Sequence, residues 1–300
     1  MRWSWLLPFL LVVPSLTITI AAREDDDLTI SSAVQLVQPG SVVLMIVACR
    51  ESPDRVVASA LGKEVVFYPD PDGKRWRGLV GVDMESRPGQ YGLIVKAIRW
   101  GRPALVVTHE LRVAPKRFPT RRLRVASRYA NPPESELERV RRESERLGAI
   151  FQSVTPHRWK GPFLMPVGDY PASNFGARSI FNGQPRSPHA GIDFMSPAGT
   201  PVRTPNAGQI VLAEQLFFTG NTVIVDHGLG LYSLLAHLSR IDVKPGQAVE
   251  SGTTLGLVGA TGRVTGPHLH WAVRLNEARV DPISLIAAFE TQAATGRGKR

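Results

Sequence analysis

Short apolar runs flanked by turn signals characterise the first part of the chain. The runs lie at residues 42–47, 64–68, 79–82, 91–97 and 104–113. The turn signals include Pro39-Gly40, Pro71-Asp72-Gly73 and Pro88-Gly89. Several short strands at this spacing are typical of a domain made of two packed antiparallel sheets. The pattern therefore predicts a small immunoglobulin-like β-sandwich over residues 28–114.

A helical period replaces the strand pattern after a strongly basic connector. The cationic residues of the connector are Lys116, Arg117, Arg121, Arg122, Arg124 and Arg128. From residue 134 to 151, apolar residues recur at helical spacing while Glu and Arg occupy the other faces. The pattern predicts a basic linker and helix over residues 115–160. It leaves open whether the helix packs on one domain or acts as a lid or docking element.

Strand-like runs joined by glycine-rich turns return in the last part of the chain. The runs lie at residues 208–213, 222–226 and 255–259, and turns follow at Gly220-Asn221, Gly228-Leu229-Gly230, Pro245-Gly246 and Ser251-Gly252. This pattern predicts an antiparallel sheet within a domain over residues 161–290. The protein is thus expected to be mostly β, with a sandwich, a linker helix and a second β domain.

The first residues have the pattern of an export signal. Arg2 precedes an apolar run from Trp5 to Val13, and Ala21-Ala22 comes directly before the charged segment 23–27. This order predicts a signal peptide over residues 1–22. The alternative is an uncleaved single-span anchor, although the apolar stretch is short for a span and is interrupted by prolines. An exported chain is expected in the periplasm or cell envelope, with membrane attachment only if the signal is retained.

Charge and cysteine content narrow the range of partners. The formal net charge is +10, which favours binding to anionic partners, and the candidates are cell-wall strands with acidic peptides, an anionic membrane surface and nucleic acid. No nucleic-acid-binding signature is present, so nucleic acid is not an expected partner. Cys49 is the single cysteine, which excludes an intramolecular disulfide, and it lies in an apolar run typical of a core strand. The basic segment 291–300 is predicted to be a mobile tail.

Two short segments carry the types of residue that bind first-row metals. The segment His189-Ala190-Gly191-Ile192-Asp193 is followed much later by His268-Leu269-His270. Residues i and i+2 of a strand project from the same face, so His268 and His270 are expected to face one cleft. Pro188 and Gly191 favour a turn leading into a short strand for the first segment. A single histidine is commonly structural, but imidazole and carboxylate together in this pattern predict a metal site.

These segments belong to a longer series of motifs that resembles a known family. The series comprises Asn174-Phe175-Gly176-Ala177-Arg178, Phe181-Asn182-Gly183, Ser187-Pro188-His189-Ala190-Gly191-Ile192-Asp193-Phe194, Val225-Asp226-His227-Gly228, Leu235-Ala236-His237-Leu238 and Gly262-Arg263-Val264-Thr265-Gly266-Pro267-His268-Leu269-His270. In order and character it resembles the lysostaphin-type zinc metallopeptidases, which cut bacterial cell-wall peptides. The resemblance covers residues 162 to 285.

The resemblance implies a set of metal ligands and a catalytic pair. One zinc ion per chain would be held by His189, Asp193 and His270, with the remaining position left for water. His237 and His268 would be the catalytic pair. One would take the proton of the attacking water, and the other would stabilise the oxyanion or protonate the leaving amine. Which histidine has which role is left open.

The resemblance also suggests roles for three further residues. His227 is expected to be structural and to lie outside the ligand set, while Asn174 and Arg178 are candidates for substrate contact. The alternative for Arg178 is an ordinary surface ion pair.

The function implied is that of an exported zinc endopeptidase acting on peptidoglycan stem peptides or cross-links, with regulatory proteins of the envelope as further partners. The domain order also resembles that of Gram-negative members of the family. Two alternatives remain, a non-catalytic wall-binding or amidase-activating scaffold and a metallopeptidase directed at proteins. The complete set of expected ligands is evidence against the scaffold.

Overall fold

The computed structural model of the protein describes residues 28–32, 36–124, 127–172 and 174–296. The predicted signal peptide lies outside the described residues, as does the end of the predicted tail from residue 297. The rest is dominated by antiparallel strands, which confirms the predicted mostly β fold. No helix within these ranges is both long and apolar enough to cross a membrane.

The first described domain is a sandwich of two antiparallel sheets. Its strands are β1 (Leu28–Ser32), β2 (Val42–Cys49), β3 (Arg55–Ala60), β4 (Lys63–Val66), β5 (Tyr68–Pro69), β6 (Arg75–Gly81), β7 (Gly89–Ile98) and β8 (Leu105–Val113). The strand orders are β1-β2-β6-β5 and β4-β3-β7-β8. Alternate residues such as Met45 on β2 and Val95 on β7 meet in one buried core, because successive strand residues face opposite sides. Cys49 is buried in this core, and burial raises the pKa of its thiol.

The connector contributes structure to the second domain. Strand β9 (Thr120–Leu123) pairs in parallel with β10 (Arg178–Phe181), which in turn pairs with β11 (Gln184–Pro185). A short helix, α1 (Ser127–Ala130), precedes α2 (Glu134–Gln152). The basic segment that reads as a linker therefore includes a strand at the edge of a small three-stranded sheet.

A larger sheet forms the body of the second domain. Its strands are β12 (Gly191–Phe194), β13 (Pro201–Arg203), β14 (Gly208–Leu216), β15 (Gly220–Gly228), β16 (Leu231–Ile241), β17 (Ala248–Val249), β18 (Thr254–Val258), β19 (Leu269–Leu275) and β20 (Ala278–Val280). The main path runs β12-β19-β16-β15-β14-β17. Helix α3 (Pro282–Gly296) follows β20 and extends into the segment for which a mobile tail is predicted.

Successive residues of β19 point to opposite faces of this sheet. Trp271 and Val273 face the main core, whereas His270 and Ala272 face the other side. Helix α2 packs on the face of Ala272, where the ring of Phe151 lies edge-on to that of Tyr232. The histidine thus shares its face of the sheet with α2, which covers the far end of that face.

The sandwich is docked firmly on the second domain. Leu44 on β2 and Leu285 on α3 belong to the same buried core. The guanidinium of Arg279 binds the carboxylate of Asp83 with a 2.7 Å contact, and burial opposed by these hydrogen bonds leaves the pKa of Asp83 below its usual value. The backbone N–H of Val42 donates to Ser284 Oγ at 2.9 Å. Apolar packing and polar contacts together fix one domain against the other.

Candidate active site

Strand pairing brings the two metal-type segments together. Strand β12 runs antiparallel to β19, and their register places Asp193 opposite His270. His189 lies just before β12, and its N–H donates to Ala177 O at 2.9 Å. The three side chains, separated by as many as 81 residues in sequence, meet at one end of the sheet.

The donor atoms of these three side chains converge on one point. His189 Nε2 lies 3.0 Å from His270 Nδ1 and 3.1 Å from Asp193 Oδ1, and His270 Nδ1 lies 2.9 Å from the same oxygen. A tetrahedral ion with bonds of about 2.0–2.1 Å separates its ligand atoms by roughly 3.3 Å. The observed triangle is close to one face of that tetrahedron. The donor set and its spacing therefore fit a metal ion with a fourth position open.

The protonation states of this cluster also suit metal binding. Burial alone would raise the pKa of Asp193, but its close contacts with His189 and His270 hold that pKa well below its usual value, so the carboxylate is ionised. Burial lowers the pKa of His270, which keeps its imidazole neutral. Metal ions bind deprotonated carboxylates and neutral imidazoles, so the ionised Asp193 and the neutral His270 suit a metal ion.

The second carboxylate oxygen of Asp193, Oδ2, is bound by side chains outside the histidine cluster. Asn174 Nδ2 donates to Oδ2 at 2.7 Å, and Asn174 Oδ1 accepts from the backbone N–H of Asp193 at 3.2 Å. Arg121 Nη1, from β9, lies 3.7 Å from the same Oδ2, and Arg121 Nε donates to Ser179 Oγ at 3.3 Å. These contacts orient the carboxylate so that Oδ1 faces the two histidines.

The residues predicted to contact substrate occupy two different environments. Asp193 contacts both the nitrogen and the oxygen of the Asn174 side-chain amide. The backbone carbonyl of Asn174 accepts from His189 Nδ1 at 3.2 Å. That geometry gives Asn174 a role in placing two of the clustered side chains. The side chain of Arg178 is exposed, and its backbone N–H donates to Pro119 O at 2.8 Å. Substrate contact by either residue stays a prediction.

His237 stands beside this cluster in a left-handed backbone conformation. Its φ of 66° is unusual for a residue with a Cβ atom, and its N–H donates to Thr219 O at 2.9 Å. The Nδ1–H group donates to Thr261 O at 2.8 Å, which leaves Nε2 as an acceptor. Burial, followed by the proximity of His270 and His268, lowers the pKa of His237 to about 3. His237 is therefore a neutral base at physiological pH.

His268 completes a group of four neighbouring imidazoles. Its ring centroid lies 4.8 Å from that of His237, and its Nε2 lies 3.9 Å from Asp193 Oδ1. The Nδ1–H group donates to Gly266 O at 2.9 Å, which leaves Nε2 as the ring nitrogen nearest Asp193. The predicted catalytic pair and the predicted ligands thus lie within one site.

His227 has a different environment. It is fully buried, its Nδ1–H donates to Ala207 O at 2.8 Å, and its Nε2 accepts from Ser233 Oγ at 3.0 Å. Burial lowers its pKa to about 4. The indole N–H of Trp271 donates to the same Ser233 oxygen at 3.2 Å. His227 therefore supports the core side of β19, and its ring nitrogens bind Ala207 and Ser233 and not the histidine cluster.

Two contributors to the site are missed by reasoning from the sequence. Arg121 belongs to a run of similar cations, and nothing in that run distinguishes the residue that reaches Asp193. Thr261 acts through its backbone carbonyl, which holds His237, and a carbonyl has no signature in sequence. A parallel pairing of β9 with β10 is the signal that identifies Arg121, and it exists only in the folded chain.

A His-Asp-His cluster with two further histidines beside it is an arrangement typical of metal-dependent hydrolases. The sequence model of Peptidase family M23 matches residues 187–282. A solved structure described as a putative peptidase M23 from Pseudomonas aeruginosa is 36% identical, with a TM-score of 0.67, and the match covers 86% of this chain and 98% of that chain. The protein belongs to the M23 peptidase family.

Curated relatives match a shorter part of the chain. The peptidoglycan DD-endopeptidase ShyA of Vibrio cholerae is 46% identical over 101 residues, which are 33% of this chain and 24% of that protein. The DD-carboxypeptidase/endopeptidase Mpg of Neisseria meningitidis is 43% identical over 97 residues, which are 32% of this chain and 22% of that protein. The similarity thus spans about a quarter or less of the length of these relatives.

Proposed function

We propose that the protein is an exported zinc endopeptidase that hydrolyses peptide bonds in peptidoglycan stem peptides or cross-links. The observation that carries this proposal is the convergence of His189, Asp193 and His270 beside the imidazoles of His237 and His268. The names of two curated relatives, a peptidoglycan endopeptidase and a carboxypeptidase/endopeptidase, support the choice of substrate.

In this proposal one zinc ion per chain would be held by His189, Asp193 and His270, whose donor atoms converge. When bound, zinc supplies Lewis acidity that activates water near neutral pH and polarises the scissile carbonyl. The chain's own contribution begins with the placement of the ligands. Asn174 and Arg121 hold Asp193 Oδ2, and Asn174 O fixes the tautomer of His189 by accepting its Nδ1–H.

His237 and His268 are proposed to move the protons. Each donates its Nδ1–H to a backbone carbonyl, so Nε2 is the ring nitrogen that each has left for proton transfer. One imidazole accepts the proton of the attacking water, and the resulting imidazolium delivers it to the leaving amine. The other would stabilise the developing oxyanion by donating an Nε2–H, for which it first takes a proton from solvent. Both histidines share the same arrangement, so either assignment is compatible with it.

The domain division and location follow from the same proposal. Residues 1–22 would direct export to the periplasm or envelope, residues 28–114 would form the sandwich, and residues 161–290 would carry the chemistry. If the organism is Gram-negative, the bond that we expect the enzyme to cut is the D-Ala to diaminopimelate cross-link. Arg178, exposed beside the site, is the remaining candidate for contact with the peptide.

Digestion of purified sacculi by residues 23–300 tests the function directly. The digestion is run with and without a chelator, and the released muropeptides are identified by mass spectrometry. Chelator-sensitive release with new peptide termini is the expected result. Intact sacculi in the presence of zinc-loaded protein would refute wall hydrolysis, and cleavage of casein in the same assay would instead indicate a protein-directed peptidase.

A further inference from the structure

The loop between β18 and β19 connects the two catalytic candidates. At its base, Gly259 and His268 form a β-bridge, and Thr261 O accepts the Nδ1–H of His237 at 2.8 Å. Thr261 Oγ1 donates to Leu238 O at 2.8 Å, which ties the loop to β16. Arg263 follows two residues after this anchor. Its position is therefore set by the same contacts that set the catalytic histidines.

The guanidinium of Arg263 is held against two aromatic rings. Its Cζ atom lies 4.9 Å from the ring centroid of Phe181 on β10 and 4.6 Å from that of Phe218, which follows β14. The backbone N–H of Arg263 also donates to Phe218 O at 2.8 Å. Contacts with aromatic rings favour a cation and restrict its rotation. The side chain is thus pre-organised while its edge N–H groups keep their hydrogen-bonding capacity.

No carboxylate of the chain neutralises this cation within the described ranges. Its guanidinium has no carboxylate within 4.0 Å among the described residues, and the charged neighbour that perturbs the pKa of Arg263 is another cation, Arg186. Burial, followed by the proximity of Arg186, lowers the pKa of Arg263. A half-buried cation without a counter-ion is unfavourable, and binding an anion relieves that cost. Aromatic contacts and neighbouring positive charge together define an anion-binding position on the loop that holds the catalytic residues.

We propose that Arg263 binds a carboxylate of the peptide substrate and thereby selects which peptides are cleaved. This inference rests on the proposed peptidase function and names the substrate chemistry of that site. A planar guanidinium matches a carboxylate through two parallel N–H···O bonds, which gives direction as well as charge. The acidic group would enter with its two oxygens facing the free edge of Arg263 while the reacting bond lies near His237 and His268.

The carboxylate has two sources in a stem peptide. A free C-terminal carboxylate at Arg263 would align a terminal residue for removal, which is carboxypeptidase activity. A carboxylate on a side chain, as in diaminopimelate, would align an internal bond, which is endopeptidase activity. Both sources present the same chemistry to Arg263, and matched substrates distinguish them.

The test measures kcat and KM on a cross-linked stem-peptide dimer and on two analogues. One analogue has amidated C-terminal carboxylates, and the other has amidated diaminopimelate side-chain carboxylates. We expect the wild type to prefer one acidic form over its amide by about 10- to 100-fold in kcat/KM, as for hydrogen bonds to charged groups. The analogue whose amidation lowers kcat/KM identifies which of the two carboxylates Arg263 binds.

Variants assign the preference to the side chain. Arg263→Gln should cleave acid and amide alike, with the loss mainly in KM, and Arg263→Lys should keep part of the preference because it retains charge but loses the planar fork. Arg112→Gln, at an exposed site on β8 in the other domain, is the matched control and should behave as wild type. Thermal melting of each variant verifies folding; if Arg263→Gln melts early, the comparison is made with Arg263→Lys.

Binding separates this inference from the proposed function. Calorimetric titration of the acidic dimer and its amides into wild type and Arg263→Gln, in chelator, reports recognition without turnover. Selective binding of the acid that depends on Arg263, with no cleavage of any form by the zinc-loaded protein, would support the carboxylate site and overturn the endopeptidase. Equal acid and amide affinities in the wild type, or a preference that survives Arg263→Gln, would overturn the inference.

Discussion

Gly191 lies inside the predicted metal motif, and replacing it with alanine tests the geometry of the site without removing any ligand. A Cβ atom at Gly191 would lie 2.4 Å from Trp271 O and 2.7 Å from His270 Cε1. Ordinary contacts of this kind begin near 3.4 Å, so β12 and β19 would have to separate by about 1 Å. The backbone conformation of Gly191 itself lies outside the left-handed region, so the effect is steric.

The strand that receives this strain has little freedom to move. Trp271 is fully buried and is paired with Ile192 on β12 and Leu235 on β16. Overpacking of a tight site costs about 1–3 kcal/mol, and the melting temperature falls by about 2–4 °C for each kcal/mol in a protein of this size. Metal ligands tolerate errors of only about 0.2 Å, so a shift of His270 should weaken metal binding by at least 10-fold.

The assay combines thermal melting with competitive zinc titration. Gly168→Ala is the matched control, because Gly168 is exposed, has no atom within 4 Å of an added Cβ and has no left-handed φ. The control should match wild type in both measurements. If Gly191→Ala also kept the wild-type melting temperature and zinc affinity, the tight contact between β12 and His270 would not be a requirement of the site, and our reasoning would be refuted.

Three further outcomes are expected. Zinc should raise the melting temperature of wild type and of His237→Ala but not that of His270→Ala, and His237→Ala should lose turnover. If zinc did not raise the melting temperature of His237→Ala, the division between ligands and catalytic residues would be wrong. Asp83→Asn should lower the free energy of unfolding by about 2 kcal/mol at neutral pH by weakening the contact with Arg279. Since the pKa of Asp83 is depressed, wild type should lose this advantage as pH falls below 3.8, and a difference in melting temperature between the two proteins that stays constant with pH would contradict the prediction. Tyr232→Phe should cost about 1 kcal/mol, measured by thermal melting, because the hydroxyl donates to the carbonyl just after α2 at 2.7 Å; an unchanged melting temperature would argue against that bond.

Periodicity of the sequence determined the secondary structure of both domains and the common face of His268 and His270. These are local properties, because strand alternation and turn residues act over a few positions. Helix α2 is also local in origin, since its period is visible from residue 134 to 151. The resemblance to a family added the expected ligand set, which spacing alone left open.

Only the tertiary structure decided how distant residues combine at the site. The register of β12 against β19 places Asp193 opposite His270, and the pairing of β9 with β10 brings Arg121 from the connector to Asp193. The packing of Arg263 against two aromatic rings likewise joins separate strands. Such contacts depend on which strands become neighbours, and that choice results from burial of the whole core rather than from any local pattern.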